Sequence, residues 1–593
     1  MKSFADKYKT YWKQNYSSWI LFVVITFCVF VQTAVCQRGV LGWPIHAFWA
    51  SVFVGSLAFI TCRRWVSWLV ITLYSVWCMT LVIYFRANEL MFNVNALLMA
   101  SNMRGFWSAI WAYVDWTVCL LALIPLVYGV FLCFIPRLRT RLWWEYAGVL
   151  GLCAIVSVWK AIVSFPKDSF QTYKEHIDFY LDNGGCDSAF GLDHGLGRYG
   201  EKWFIPFYQA YHAAEMMDLS YPRYYFSTHG ALHYLPAMIA NYWGDTRTEV
   251  EPVSLAELTP YWNPTIPTSK PKYNVIMILA ESLETWPLEL GEYSKTIAPA
   301  LVQWTQTDHV MYVPTIYSQV RHGVSGDGQM LLNTGLLPIT NGATCMLYSD
   351  NTFPNIASCY PYSATIDPYA NNNWNQTAMT TAYGYQTYVS AKDSEWSDLE
   401  MFQTLVQVLD TIHEPFCIQG ITKDMHTPFS AGRDLQLGLP EGMPTYMHDY
   451  IGCYHIVDCN LGWLLEQISK KVNMDRTVIV ITADHSIFKS NLLESFEQYA
   501  QIHHFSIPAK RSYCPCWIYI PNQPNRQING VFYQMDLYPT VLAALELQSH
   551  PWKGFGINLL DEQQRQQRDT VNETYYQQLS NRIIIHNALS TRF

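Results

Sequence analysis

Charged residues are scarce in this chain: of 593 residues only 14% are Asp, Glu, Lys or Arg, whereas 50% are hydrophobic. No long basic run occurs and nothing alternates Arg or Lys with aromatics, and with a net charge of −9 this argues against nucleic acid as a partner. Two suggestive short patterns lack the context that their chemistry needs. "GLGRYG", Gly195 to Gly200, has the glycine spacing of a dinucleotide loop, but no strand-like run precedes it and no acidic residue is placed to hold a ribose. His229 and His233 have the i, i+4 spacing of a helical metal pair, with no glutamate base between them and no evident third ligand. Both read as structural.

What the chain has in excess is apolar and lies at the front. Five stretches, roughly 17–36, 45–62, 65–85, 116–135 and 144–163, have the length and the lack of charge expected of membrane spans. Further spans follow the first at once, so it reads as a retained anchor rather than a cleaved leader. Lys2, Lys7, Lys9, Lys13, Arg63, Arg64, Arg137, Arg139 and Arg141 occupy the N-tail and alternate loops, against Arg38, Arg86 and Arg104 in the others. By the positive-inside rule the first group is cytoplasmic, and five crossings place everything after about residue 165 on the outer face. Eight of the fifteen cysteines fall there, where an oxidising compartment permits disulfides. Cys345 and Cys359 are the pair expected to bond.

Three regions follow from these patterns: a five-helix membrane region over 1–164, juxtamembrane helices and a linker over 165–272, and a catalytic domain over 273–593. The linker reading rests on five prolines among Thr, Ser and Glu between Trp243 and Lys272. From Tyr273 onward, short apolar runs alternate with helical stretches, the pattern of an α/β sheet with buried parallel strands. "NVIMILAES" runs into Glu281, "FCIQGITKDMH" leads to His426, and "TVIVITADH" ends at Asp484 and His485. Ligand sites in open α/β sheets gather at the carboxyl ends of strands, which lets these residues converge. Carboxylates with an imidazole suit a divalent ion of Zn or Mn type, and the Ser325 oxygen can complete the set. Coordination of that kind lowers the pKa of a serine hydroxyl and makes it a nucleophile. Around Ser325, the glycines Gly323, Gly326 and Gly328 allow backbone N–H groups to approach an anion, with a helix expected to start near Gln329.

Residues 273–560 resemble the alkaline-phosphatase and sulfatase superfamily, and within it the lipoteichoic-acid synthase and phosphoglycerol transferase branch. The resemblance rests on the strand ending at Glu281, Ser325 before Asp327, His426 in "MHTPF", Asp484-His485, "MDLYPTVL" and "GFGINLL". It implies an extracytoplasmic α/β domain of alkaline-phosphatase type, sulfatase-like in fold, behind a multi-pass anchor in the bacterial cytoplasmic membrane. It implies that Glu281, Ser325, Asp484 and His485 bind one divalent metal ion, Mn2+ or Zn2+ with Mg2+ also compatible. Ser325 is then the nucleophile, His426 binds the phosphate group and Trp396 lines the substrate pocket. The implied reaction moves a phosphate-bearing head group, glycerophosphate from phosphatidylglycerol, from a membrane phospholipid donor to a glycan or lipid acceptor. The alternatives are phosphoethanolamine transfer, phosphodiester hydrolysis on the same scaffold, or a non-enzymatic head-group sensor. "VSGDGQ" and "CPCW" both lack the C/S-x-P-x-R pattern that formylglycine-dependent sulfate-ester hydrolysis requires.

Overall fold

The computed structural model describes residues 2–40, 45–60, 64–88, 91–94, 113–134, 251–262, 271–486 apart from 341, 371, 428 and 434, then 499–505, 513–547, 550–567 and 573–590, with isolated positions between 148 and 239. Two compact units make up the chain: Met1–Val94 with Phe106–Tyr180 and Ser188–Thr248, and Asn95–Gly105 with Leu181–Asp187 and Glu249–Phe593.

The first unit contains helices α1 (Lys2–Gly39), α2 (Ile45–Ile60), α3 (Arg64–Asn88) and α4 (Trp116–Phe134). Three stretches among the described residues are long and apolar enough to cross a membrane: Ile20–Gly39, Arg64–Arg86 and Trp116–Phe134. They correspond to three of the five expected spans. The described part of helix α2 has 16 residues. The expected fifth span lies outside the described residues save a few positions, as do Gly195 to Gly200, His229 and His233. Between α1 and α3, Gln32 Nε2 donates to Ile71 O (3.0 Å) and Ser75 Oγ (2.8 Å). Ser67 and the Tyr128 hydroxyl bond α3 to α4 at 2.8 Å. Such polar contacts hold helices together where apolar packing has no advantage over lipid.

In the second unit nine strands form one sheet in the order β4-β3-β5-β1-β6-β7-β2-β8, with β9 also paired to β2. The strands are β1 (Asn274–Ala280), β2 (Val310–Tyr317), β3 (Tyr362–Asp367), β4 (Thr387–Ser390), β5 (Phe416–Ile421), β6 (Thr477–Ala483), β7 (Cys514–Tyr519), β8 (Arg526–Gln527) and β9 (Phe532–Tyr533). From β4 to β6 every pairing is parallel, whereas β7 runs antiparallel to both β6 and β2. The sheet is therefore mixed rather than parallel throughout. β1 and β6 are buried at every position, as central strands covered on both faces must be, and this selects their unbroken Val, Ile, Met and Leu runs.

The stretch read as a linker is folded over 251–262. Helix α5 (Leu255–Leu258) starts at a capping box in which Ser254 and Glu257 bond each other's backbone N–H. Arg582 Nη1 bonds Glu257 Oε1 at 2.6 Å, and Lys553 N–H donates to Tyr261 O at 2.9 Å. These contacts tie residues 251–262 to the sheet-bearing unit. Pro260 lies in the first turn of the short helix Thr259–Tyr261.

Further along lie α6 (Val324–Thr334), α7 (Asp398–Leu409) and α8 (Thr445–Lys471). The turn Ser430–Gly432 touches α8 backbone to backbone at Gly452. A Cβ there would lie 2.1 Å from Gly432 O and 2.6 Å from its Cα. Gly452→Ala is expected to cost about 2 kcal/mol or more, because neither backbone can move aside as a flexible side chain would. A lowered unfolding temperature for the purified variant checks this, and an unchanged one contradicts the contact.

Candidate active site

The register of β1 and β6 brings the first two ligand candidates together. Ala280 pairs with Ala483 in parallel, so the next residue on each strand, Glu281 and Asp484, emerges side by side at the carboxyl edge. Asp484 N–H continues the ladder onto Ala280 O at 3.1 Å. Its Oδ1 accepts the Ser282 N–H at 2.8 Å and the His485 N–H at 2.7 Å, which fixes the carboxylate. On the other side of β1, the Thr422 hydroxyl accepts the Glu281 N–H at 2.8 Å. Glu281, Asp484 and His485 are all buried, with ligand atoms within 4.8 Å of one another.

The orientation of His485 suits a cation. Its Nδ1 lies 3.2 Å from Ser486 O, and a carbonyl only accepts, so Nδ1 carries the proton and Nε2 presents a lone pair. That Nε2 is 3.5 Å from Glu281 Oε1 and 3.5 Å from Asp484 Oδ2. Burial, together with the charge of Asp484, pushes the Glu281 carboxyl well above the usual carboxylate range. Two buried carboxylates facing each other and an imidazole lone pair form an anionic, acceptor-only pocket. This donor set fits a divalent ion, whose charge would relieve the repulsion.

Ser325 completes the group. Its Oγ stands 3.3 Å from Glu281 Oε2 and 3.4 Å from His485 Nε2. The helix that carries it begins at Val324 and not near Gln329, so Ser325 lies in the first turn rather than in a loop ahead of the helix. The reading of the glycines also changes. Gly323 N–H is spent on Asp327 Oδ2 (2.9 Å), and Gly326 N–H on Gly323 O (2.8 Å). Gly328 is required for close approach, since a Cβ there would lie 2.1 Å from Asp484 O. Gly328 lets α6 press against the Asp484 turn, while the Gly323 and Gly326 amides are engaged within their own turn. Asp327, with no exposure, folds the turn by accepting from Arg321 N–H (2.8 Å) as well, and burial raises its pKa to about 7.

His426 lies in the loop after β5. Its Nδ1 is 2.8 Å from Thr427 O, so Nδ1 is protonated and Nε2 is bare in the neutral ring. Burial lowers its pKa, and it lies within electrostatic reach of His485 and Asp484. The loop is anchored from α7: Asp398 Oδ1 accepts the amides of Lys423 (2.7 Å) and Asp424 (3.2 Å). Burial and the neighbouring Asp424 raise Asp398 to about 8. Trp396 is half-buried, its amide donating to Pro368 O at 2.9 Å. A different indole packs on the residue after Ser325: Trp374 Cβ and Cγ lie 3.4 and 3.5 Å from where a side chain on Gly326 would begin. Trp374 has φ 53°, between Asn372 and Asn375 in the same left-handed region, and no spacing rule singles it out. Thr422 was open to discovery as the residue just beyond a third strand.

The expected Cys345–Cys359 disulfide is not formed; both thiols are free. Cys345 is buried beside the α6 turn, with its Sγ 2.9 Å from a Cβ built on Gly326, whereas Cys359 ends the separate short helix Ala357–Cys359. "MDLYPTVL" and "GFGINLL" are structural partners of each other: Asp536 Oδ1 accepts the Ile557 N–H at 2.9 Å, and Thr540 Oγ1 accepts the Leu559 N–H at 2.9 Å.

Residues 273–547 match the family described as Sulfatase. The chain is 20% identical over 311 residues to lipoteichoic acid synthase 2 of Bacillus subtilis, covering 49% of this chain and 48% of that one. It is 23% identical over 321 residues to a lipoteichoic acid synthase of Staphylococcus saprophyticus, covering 51% and 49%. It thus spans about half the length of the curated relatives it matches. Among solved structures, a lipoteichoic acid synthase from Listeria monocytogenes aligns with a TM-score of 0.44 and 17% identity, over 59% of this chain and 98% of that one.

Proposed function

We propose that the protein, whose residues 273–547 match the Sulfatase family, is a metal-dependent transferase carrying glycerophosphate from phosphatidylglycerol to an extracytoplasmic glycan or lipid acceptor, through a phosphoserine at Ser325. The observation that carries this reading is the convergence of Glu281, Asp484 and His485 on the Ser325 Oγ at the end of two paired strands. Relatives named lipoteichoic acid synthase support the choice of head group. The apolar helices of the first unit suit an anchor in the bacterial cytoplasmic membrane, close to a lipid donor.

Mn2+ or Zn2+, or Mg2+, held by Glu281, Asp484, His485 and Ser325, would neutralise the carboxylates and hold the serine in its ionised form. The Ser325 Oγ then attacks phosphorus, and the bond from phosphorus to the diacylglycerol oxygen breaks. Diacylglycerol leaves with a proton from the His426 Nε2, the imidazolium having been stabilised by the anionic head group. Neutral His426 next takes the proton of the acceptor hydroxyl as that oxygen attacks the phosphoserine and frees Ser325. The Nδ1 bond to Thr427 O keeps the ring oriented through both half-reactions. Trp374 packs against Gly326, the residue after the serine. Trp396 is assigned to the outer part of the substrate pocket.

Incubating the purified protein with Mn2+ and a mixed-lipid vesicle, then mapping Ser325 by mass spectrometry, tests the donor. A glycerophosphoryl adduct with released diacylglycerol is the expected result. An ethanolamine-phosphate adduct would replace the head group and retain the mechanism, whereas adduct formation with release to water alone would make the protein a phosphodiesterase.

A further inference from the structure

Gln534 is 1% exposed and begins the turn Gln534–Asp536, fifty residues beyond the Asp484 turn. Its Nε2 donates to Asp484 O at 2.6 Å. Its Oε1 accepts the Gln319 N–H at 2.8 Å and the Ser318 hydroxyl at 3.3 Å. Gln319 returns the interaction, its Oε1 accepting the Met535 N–H at 3.1 Å. Ser318 and Gln319 follow β2 directly and lead into the turn that presents Ser325. One buried amide side chain therefore joins the peptide behind a metal-ligand pair to the segment that delivers the nucleophile.

The Asp484 carbonyl has little freedom. The α6 helix closes over it at Gly328, where even a methyl group would overlap it. The Asp484 side chain is fixed independently by the Ser282 and His485 amides. The Asp484–His485 peptide is thus held at both ends against a tilt, its N–H by Asp484 Oδ1 and its carbonyl by Gln534 Nε2. A tilt of this peptide carries the imidazole with it and changes the separation of His485 Nε2 from the Ser325 Oγ. A buried carbonyl deprived of its donor is costly to leave unpaired, so it turns in search of another.

We infer that Gln534 is a positioning residue, setting the spacing between the nucleophile and the His485–Asp484 ligand pair through the Asp484 carbonyl. The inference rests on the proposed role of Ser325 beside a bound cation. Gln534 lies beneath the site and touches the ligands' backbone, so its loss acts on metal affinity and on kcat, not on the capture of the lipid.

The test uses the full chain in detergent and compares wild type with Gln534→Met, which keeps length and volume and removes both hydrogen-bonding atoms. Equilibrium dialysis against Mn2+ is expected to show a dissociation constant about 10-fold weaker, the usual effect of losing a partner that orients a ligand. With phosphatidylglycerol, kcat is expected to fall by about 10- to 100-fold while KM stays within about 2-fold, as displacements of ~1 Å at a reacting centre produce. Unchanged Mn2+ affinity and kcat would overturn the inference, as would a raised KM with kcat intact. Gln319→Met is the second variant, because it leaves the Gln534 bond to Asp484 in place and removes the Gln319 side-chain bonds to Met535 N–H and Glu573. It is expected to keep Mn2+ affinity and lose kcat several-fold, and wild-type kcat would remove Gln319 from the coupling. The dialysis needs no substrate, so a wrong choice of donor lipid silences turnover in wild type and variants alike without touching the Mn2+ comparison.

Discussion

Ser325→Ala is expected to reduce turnover by on the order of 10^4-fold or more, the scale seen when a covalent nucleophile is deleted, and to leave the fold intact. The two halves of this expectation have separate grounds. Chemically, the Ser325 Oγ stands beside both Glu281 and His485 on a half-buried side chain, whereas the other hydroxyl at Glu281, that of Ser282, is buried and donates to Glu281 Oε1 at 2.7 Å. Structurally, Ser325 is half-buried in the first turn of α6, and its hydroxyl bonds only to Glu281 and His485. Removing it deletes two long contacts and no packing, so the stability change is held to about 1 kcal/mol. Ser325→Thr keeps the hydroxyl and is expected to retain part of the activity, the added methyl changing the rotamer and not the reacting atom. The decisive measurement combines diacylglycerol release, intact mass after incubation with lipid, and the unfolding temperature of each variant. Turnover by Ser325→Ala at the wild-type rate would remove Ser325 from the reaction whatever the unfolding data.

Local chemistry made part of this site legible in the sequence. The apolar runs that become β1 and β6 have no other use than a doubly covered strand, and each ends on a polar residue at a sheet edge. Glu281, Asp484 and His485 follow from that alone once the two strands are paired in register. What failed was decided at long range. The reversal of β7 against β6 and β2 is not written in the composition of "CPCWIY". The glycines around Ser325 have the composition of a flexible turn, yet α6 begins among them because Asp327 folds back on the turn and Gly328 meets Asp484 O. Gln534 sits inside an otherwise structural motif, and nothing within ten residues of it indicates that its partner is at position 484. Likewise, the prolines of 251–262 read as a linker until Glu257 finds Arg582, more than three hundred residues away.

Asp484→Asn is expected to remove bound metal and activity together, and to do so with an inverted stability signature. Asparagine has the shape of aspartate, and its Oδ1 still accepts the Ser282 and His485 amides, so the turn survives. The variant loses the negative charge that raises the Glu281 carboxyl. Without metal, wild type holds two buried acids facing each other, and neutralising one relieves that repulsion. In chelator, then, Asp484→Asn should unfold at the same temperature as wild type or above it. With Mn2+ the order reverses. A ligand that binds only the folded state stabilises by about 2.7 kcal/mol at a hundred times its dissociation constant, and wild type gains this increment. The variant, short of a charged ligand, should bind more than about 100-fold more weakly, beyond the range seen when only a supporting partner is lost, and gain almost nothing at the same concentration. Glu281→Gln should behave alike, since the two carboxylates are neighbours across the β1–β6 pairing. Unfolding scans with and without Mn2+, beside metal content and diacylglycerol release, give the comparison. Full metal occupancy with wild-type turnover in either variant would refute the ligand assignment, and a variant less stable than wild type in chelator would show that the carboxylate supports the fold instead of opposing it.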